Sequence, residues 1–191
     1  WPSVDFGRRV CQRLPMRQLS PDLLARLRRV RLFLCDVDGV LTNATVTMGV
    51  QFCEGRPVPL ETKVFNIRDG LGLMLLKRSG IPVGWVSARP SDATTERARD
   101  LSIDYVHQAS GSKVTAIEGI LARMGEGVGW EDVVYMGDDV VDLGPLRRAG
   151  FAAVPADAVD SQPDAPAGRK DWHRWRKKQD RLNAAPFNEP D

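Results

Sequence analysis

The stretch "RLFLCDVDGVLT", residues 31 to 42, decides the fold. Leu32 to Cys35 is a short apolar run of the kind that forms a strand buried on both faces. It stops at Asp36 and Asp38, two carboxylates one residue apart, with Gly39 immediately behind them. Ligands of open α/β sheets bind beyond the carboxyl ends of the strands, so a core strand that ends in paired acids marks a site. Two more runs end in polar groups. "IPVGWVS" (81–87) closes on Ser87, and "DVVYMGDD" (132–139) closes on Asp138 and Asp139, with Asp142 just beyond.

Helical patterns lie between these strands. "SPDLLARLRRV" (20–30) places Ser20 at the N-cap and Pro21 at the first helical position. "GLGLMLLKRSG" (70–80) puts Leu71, Met74 and Leu75 on one face and ends at Gly80. "SDATTERARDLS" (91–102) is a polar helix begun by Ser91. "SKVTAIEGILARMG" (112–125) begins at Ser112 and carries Val114, Ile117, Leu121 and Met124 on one stripe. "DLGPLRRAG" (142–150) is a short helix and "FAAV" (151–154) a last strand. The segment 44–67 differs. "TVTMGVQFCEG" and "ETKVFNI" alternate and contain turn glycines, which predicts a hairpin. The expected class is α/β: a Rossmann-like parallel sheet flanked by helices, with a small β-hairpin flap instead of a large cap domain.

The chain has 191 residues, 42% of them hydrophobic, which suits one soluble domain with a real core. Residues 1–19 read as a basic, poorly ordered lead-in and 20–156 as the folded domain. Residues 157–191 read as a linker and a basic tail with Trp172 and Trp175. A net charge of +2 is too small to imply a polyanionic partner for the whole molecule, and the tail is read as solvated, not as a nucleic-acid binder. Three scattered cysteines argue against a disulfide framework. No apolar run approaches the roughly 18 residues of a membrane span, and no signal-peptide core is visible at the N-terminus. The expected compartment is the cytoplasm.

The converging residues suit phosphate chemistry. Two carboxylates about 4 Å apart repel by roughly 4 kcal/mol at an effective dielectric near 20, unless one protonates or a cation intervenes. Mg²⁺ accepts carboxylates, water and a phosphate oxygen together. With two histidines in the chain and no clustered thiols, zinc does not fit. Asp36 is assigned as nucleophile and Asp38 as the acid and base that serves the leaving alcohol and then water. Ser87 would donate to the transferring group, and Lys113, in the first turn after Ser112, would neutralise its charge.

The motifs "DVDGVLT" (36–42), "VSAR" (86–89), "SK" (112–113) and "GDDVVD" (137–142) resemble those of the haloacid dehalogenase superfamily of phosphotransferases. "FNIRDGLGLMLLKRSGI" (65–81), behind a short hairpin, is similar to its small-cap branch, which holds the 3-deoxy-D-manno-octulosonate 8-phosphate and nonulosonate 9-phosphate phosphatases. The resemblance implies Mg²⁺-dependent hydrolysis of a small phosphorylated sugar-acid substrate by a homotetramer whose hairpins pack together. It implies Asp36, Asp38, Asp138 and Asp139 as the metal group. Asn66, Arg68, Asp69, Gly70, Arg89 and Arg97 become substrate contacts. The chain departs from that pattern at Ala88, which stands where a glycine is usual, and at Met74, where some members place an arginine. Its C-terminal tail also lacks the usual glycine-rich segment.

Overall fold

The computed structural model describes residues 21–158, so the lead-in, Ser20 and the tryptophan-bearing tail lie outside the described residues. In chain order the elements are α1 (Pro21–Arg28), β1 (Leu32–Cys35), β2 (Thr47–Cys53), β3 (Arg56–Thr62), α2 (Ile67–Arg78), β4 (Val83–Ser87) and α3 (Asp92–Asp100). They continue with β5 (Tyr105–Gln108), α4 (Lys113–Met124), β6 (Val133–Met136), α5 (Leu143–Arg148) and β7 (Phe151–Ala153). The main sheet runs β5-β4-β1-β6-β7 with every pairing parallel. The chain steps outward from β1 to β4 and β5, then crosses back to β6 and β7. The order therefore reverses between β1 and β6, which is where such sheets bind ligands.

Strand alternation divides the core. Leu32 and Leu34 of β1 point to the side where Ile117, Ile120 and Leu121 of α4 and Leu146 of α5 pack. Cys35 joins Leu73 of α2, Val83 and Trp85 of β4 and Ala98 of α3 on the other side. β1 is buried because both faces are covered, as its continuous apolar run requires. Gly84 lets Leu34 nest, since a Cβ there would sit 2.5 Å from Leu34 Cδ2.

Two expectations change. The helix read from Gly70 begins earlier: Asn66 is extended, and its Oδ1 accepts from Arg68 N at 2.8 Å, capping a helix that starts at Ile67. The face carrying Leu71, Met74 and Leu75 is the exposed one, and Gly70 and Leu73 are buried instead. Periodicity shows which residues share a face but not which face finds a neighbour. β5 was not foreseen, because "YVHQ" is a short, polar edge strand.

The hairpin β2–β3 is antiparallel, with Glu54 and Gly55 both at positive φ, as a two-residue connection with right-handed strand twist demands. Among the described residues no helix is long and apolar enough to cross a membrane.

Candidate active site

Asp36 stands one residue beyond β1, 6% exposed, with its backbone N bonded to Met136 O of β6. Its Oδ1 accepts from Val37 N at 2.7 Å and its Oδ2 lies 2.9 Å from Lys113 Nζ. Ser112 starts α4 by accepting from Thr115 N, and this places Lys113 at the first helical position, facing inward and buried. Lys113 also reaches Asp142 Oδ1 at 2.7 Å.

Asp142 is fully buried and saturated. Its Oδ1 accepts from Lys113 and from the Tyr135 hydroxyl, and its Oδ2 from the backbone N–H groups of Asp138 and Asp139, both at 3.2 Å. It holds both the lysine and the loop that carries Asp138. The Asp138 Oδ1 is buried and finds no hydrogen-bond partner. Gly39, at φ +97°, passes so close that a Cβ would lie 1.8 Å from Asp138 Oδ2. Only glycine fits there.

Ligand oxygens of Asp36, Asp138 and Asp142 fall within 4.8 Å of one another. Burial pushes the Asp36 carboxyl up to about 6, with the Asp142 charge adding to it and Lys113 opposing. Burial, then the charges of Asp36, Asp142 and Asp139, pushes Asp138 up to about 7. Hard oxygen donors, mutual repulsion and one orphaned oxygen fit a hard divalent cation.

The remaining predicted residues form other groups. Asp38 turns away from this cluster towards the hairpin, where its carboxylate meets Lys63 Nζ at 2.7 Å and Arg89 Nε at 3.6 Å. Asp139 is exposed, and its Oδ1 accepts from Val140 N, so its carboxylate caps a turn. The side chains that cluster are thus not the foreseen four: Asp142 stands with Asp36 and Asp138, while the Asp38 and Asp139 carboxylates are occupied elsewhere. Ser87, 2% exposed, donates to Arg89 O at 3.1 Å. Arg89 Nη1 and Nη2 both lie 2.9 Å from Glu61 Oε2. Asn66, Asp69, Gly70 and Arg97 line a small cavity with Phe65 and Trp85, whereas Arg68 is exposed.

No family model matches the chain. The 3-deoxy-D-manno-octulosonate 8-phosphate phosphatase of Yersinia pestis is 34% identical over 140 residues, covering 73% of this chain and 70% of that one. The chain belongs to this phosphatase family, within the haloacid dehalogenase superfamily. The crystal structure of the Yersinia pestis phosphatase superimposes with a TM-score of 0.66 at 32% identity, covering 75% of this chain and 73% of that one. The Moraxella catarrhalis 3-deoxy-D-manno-octulosonate 8-phosphate phosphatase, solved with magnesium ion, phosphate ion and a KDO molecule, gives 0.63 at 30% identity, covering 74% and 76%.

For this octulosonate-phosphate phosphatase family member, sequence reasoning passed over Tyr135, Glu61 and Lys63. A signal existed for the last two. Residues two apart on extended backbone share a face, so an acid and a lysine at 61 and 63 point together.

Proposed function

We propose that this chain is a Mg²⁺-dependent phosphomonoesterase of the cytoplasm acting on a phosphorylated 2-keto-3-deoxy sugar acid, 3-deoxy-D-manno-octulosonate 8-phosphate, through an aspartyl-phosphate on Asp36. The observation that carries the reading is the cluster of buried Asp36 and half-buried Asp138 at the strand ends with buried Lys113 of α4 against Asp36, the two carboxyls being raised to about 6 and about 7. Asp36 and Asp138 would hold Mg²⁺. Bound there, the ion supplies positive charge to the carboxylates and to a phosphoryl oxygen.

In the first half-reaction an Asp36 oxygen forms a bond to phosphorus as the phosphorus–oxygen bond to the sugar breaks. The carboxyl proton of Asp38 passes to the departing oxygen. In the second, water attacks the same phosphorus, Asp38 takes a proton from it, and Asp36 is released. Lys113 balances charge on the phosphoryl group, and the Ser87 hydroxyl turns from Arg89 O to donate to it. Arg89 and Arg97 suit the sugar-acid carboxylate, because a guanidinium fork binds it in two places. Asn66, Arg68, Asp69 and Gly70 complete that end, and Asp139 supports the metal loop.

The assembly in this reading is a homotetramer formed through the hairpins. Met48, Val50 and Phe52 share one side of β2 at 66%, 62% and 74% exposure, an apolar face that a lone hairpin leaves in water. The test is phosphate release with and without Mg²⁺ from the octulosonate 8-phosphate, a nonulosonate 9-phosphate, a hexose phosphate and p-nitrophenyl phosphate, beside Asp36→Asn. The expected order places the octulosonate first, with the variant inactive. A preference for the hexose phosphate overturns the substrate. Equal activity of the variant overturns the nucleophile.

A further inference from the structure

Asp38 does not find its partners in the phosphate cluster. It finds them at the foot of the hairpin. Lys63, one residue past β3, has a side chain with no exposure at all, and its Nζ lies 2.7 Å from Asp38 Oδ1 and 2.9 Å from Oδ2. A second hydrogen bond goes to Thr94 Oγ1 of α3 at 3.2 Å, and Thr94 is itself fully buried. Glu61, two residues back on the same side of β3, stands 3.9 Å from Lys63 and holds Arg89, while the Ser91 hydroxyl donates to Glu61 Oε1 at 2.6 Å. Covering an ammonium costs solvation, and the chain recovers it only through partners set at fixed distances. That is a device for holding one carboxylate in one place.

We propose that Lys63 is a positioning residue: clamped between Thr94 and Glu61, it fixes the carboxyl of Asp38 at the angle from which a proton reaches the leaving oxygen. Lys63 Nζ lies close to both Asp38 oxygens but hydrogen-bonds only to Oδ2, leaving Oδ1 without a hydrogen bond and open to the proton, so the carboxyl keeps a single orientation when it gives a proton in the first half-reaction and takes one from water in the second. Because Lys63 directly follows β3, the contact ties the hairpin's foot to the proton-transfer group. The inference rests on the phosphatase reading above and on Asp38 as its acid and base.

The experiment uses leaving groups as its probe. A nitrophenolate departs without a proton, and an alkoxide does not, so loss of a well-placed acid is felt in proportion to how poor the leaving group is. Wild type, Lys63→Met and Lys63→Arg are assayed with p-nitrophenyl phosphate, phenyl phosphate and an alkyl phosphate, with thermal melting to confirm folding. For Lys63→Met, kcat should fall about 100-fold on the alkyl ester and less than about 10-fold on p-nitrophenyl phosphate, with KM within about threefold. Lys63→Arg should recover part of the alkyl activity. Thr94→Val, which removes one bond of the clamp and keeps the shape, should show the same tilt at smaller size and serves if Lys63→Met does not fold. An equal loss on every ester, or none, overturns the inference and reduces Lys63 to a structural tie. Absence of hydrolysis by the wild type is a different result, and it overturns the phosphatase reading itself.

Discussion

Asp36 contains opposed demands in one carboxyl. In the proposed mechanism attack on phosphorus needs it ionised, yet burial and Asp142 raise it to about 6, and Lys113 opposes the rise only in part. Each ionised carboxylate therefore weakens the metal-free fold while preparing the site for a cation. Asp36→Asn separates these roles. Activity should fall by about a thousandfold or more, as removal of a nucleophile does. The metal-free melting temperature near neutral pH should rise, because a repelling charge leaves while Lys113 keeps Asp142. Calorimetry in chelator beside a phosphate assay reads both; a lower melting temperature would mean the Asp36–Lys113 pair is the stronger effect. Gly39 supplies a second test at this scale. Gly39→Ala forces a methyl into the space of Asp138 Oδ2 at a φ that L residues rarely adopt. The Mg²⁺ concentration for half-maximal activity should rise more than about tenfold, as displacement of a ligand requires. An unchanged Mg²⁺ response would show that Asp138 does not hold the ion.

Among the elements, what the sequence revealed and what it hid follow from local and non-local causes. β1, β4 and β6 were readable because strands buried on two faces must be apolar throughout, and their acidic or hydroxyl ends stood out against that background. Ser91 and Ser112 announced α3 and α4 because caps act within one turn. The α2 boundary was obscured by Asp69 and Gly70, which look like a turn; Gly70 is in the helix because a Cβ would lie 2.7 Å from Arg97 Nη2, a contact 27 residues away in sequence. Asp142 was visible as a residue but not as the saturated hub of the cluster, since its Tyr135 and Lys113 partners meet only in the folded sheet. The hairpin was readable as an element and not as a surface. A two-stranded hairpin is marginal in water, and this one shows Met48, Val50 and Phe52 on the same side as Glu61 at its foot. On the proposed hairpin-mediated assembly, Val50→Ser with Phe52→Ser should give smaller species than the unaltered chain by light scattering while far-ultraviolet dichroism stays constant. An unchanged mass would place the interface elsewhere.

The whole molecule should show the electrostatics of its site as a pH dependence of stability. The ordinary aspartate value is 3.8, and in the fold Asp36 and Asp138 are held up to about 6 and about 7. Between those limits the folded chain keeps protons that the unfolded chain has released. The native state then binds more protons than the unfolded state, so stability declines as pH rises through this window. Glu61 has the opposite sign: its bonds to Ser91 and Arg89 lower it from 4.5, so its contribution is lost as pH falls below that range. The two windows overlap on the acid side, so on these groups metal-free protein should melt highest at about pH 4. From there to about pH 7.5 its melting temperature should fall. Saturating Mg²⁺ binds only the folded, deprotonated cluster, so it should stabilise more at about pH 7.5 than at about pH 5 and flatten the decline. Melting curves across that range, with chelator and with Mg²⁺, decide the matter. A metal-free curve that rises towards neutral pH, or a Mg²⁺ increment that does not grow with pH, would mean that burial and the neighbouring carboxylates do not hold Asp36 and Asp138 above the ordinary aspartate value, and the electrostatic case for a cation there would be lost.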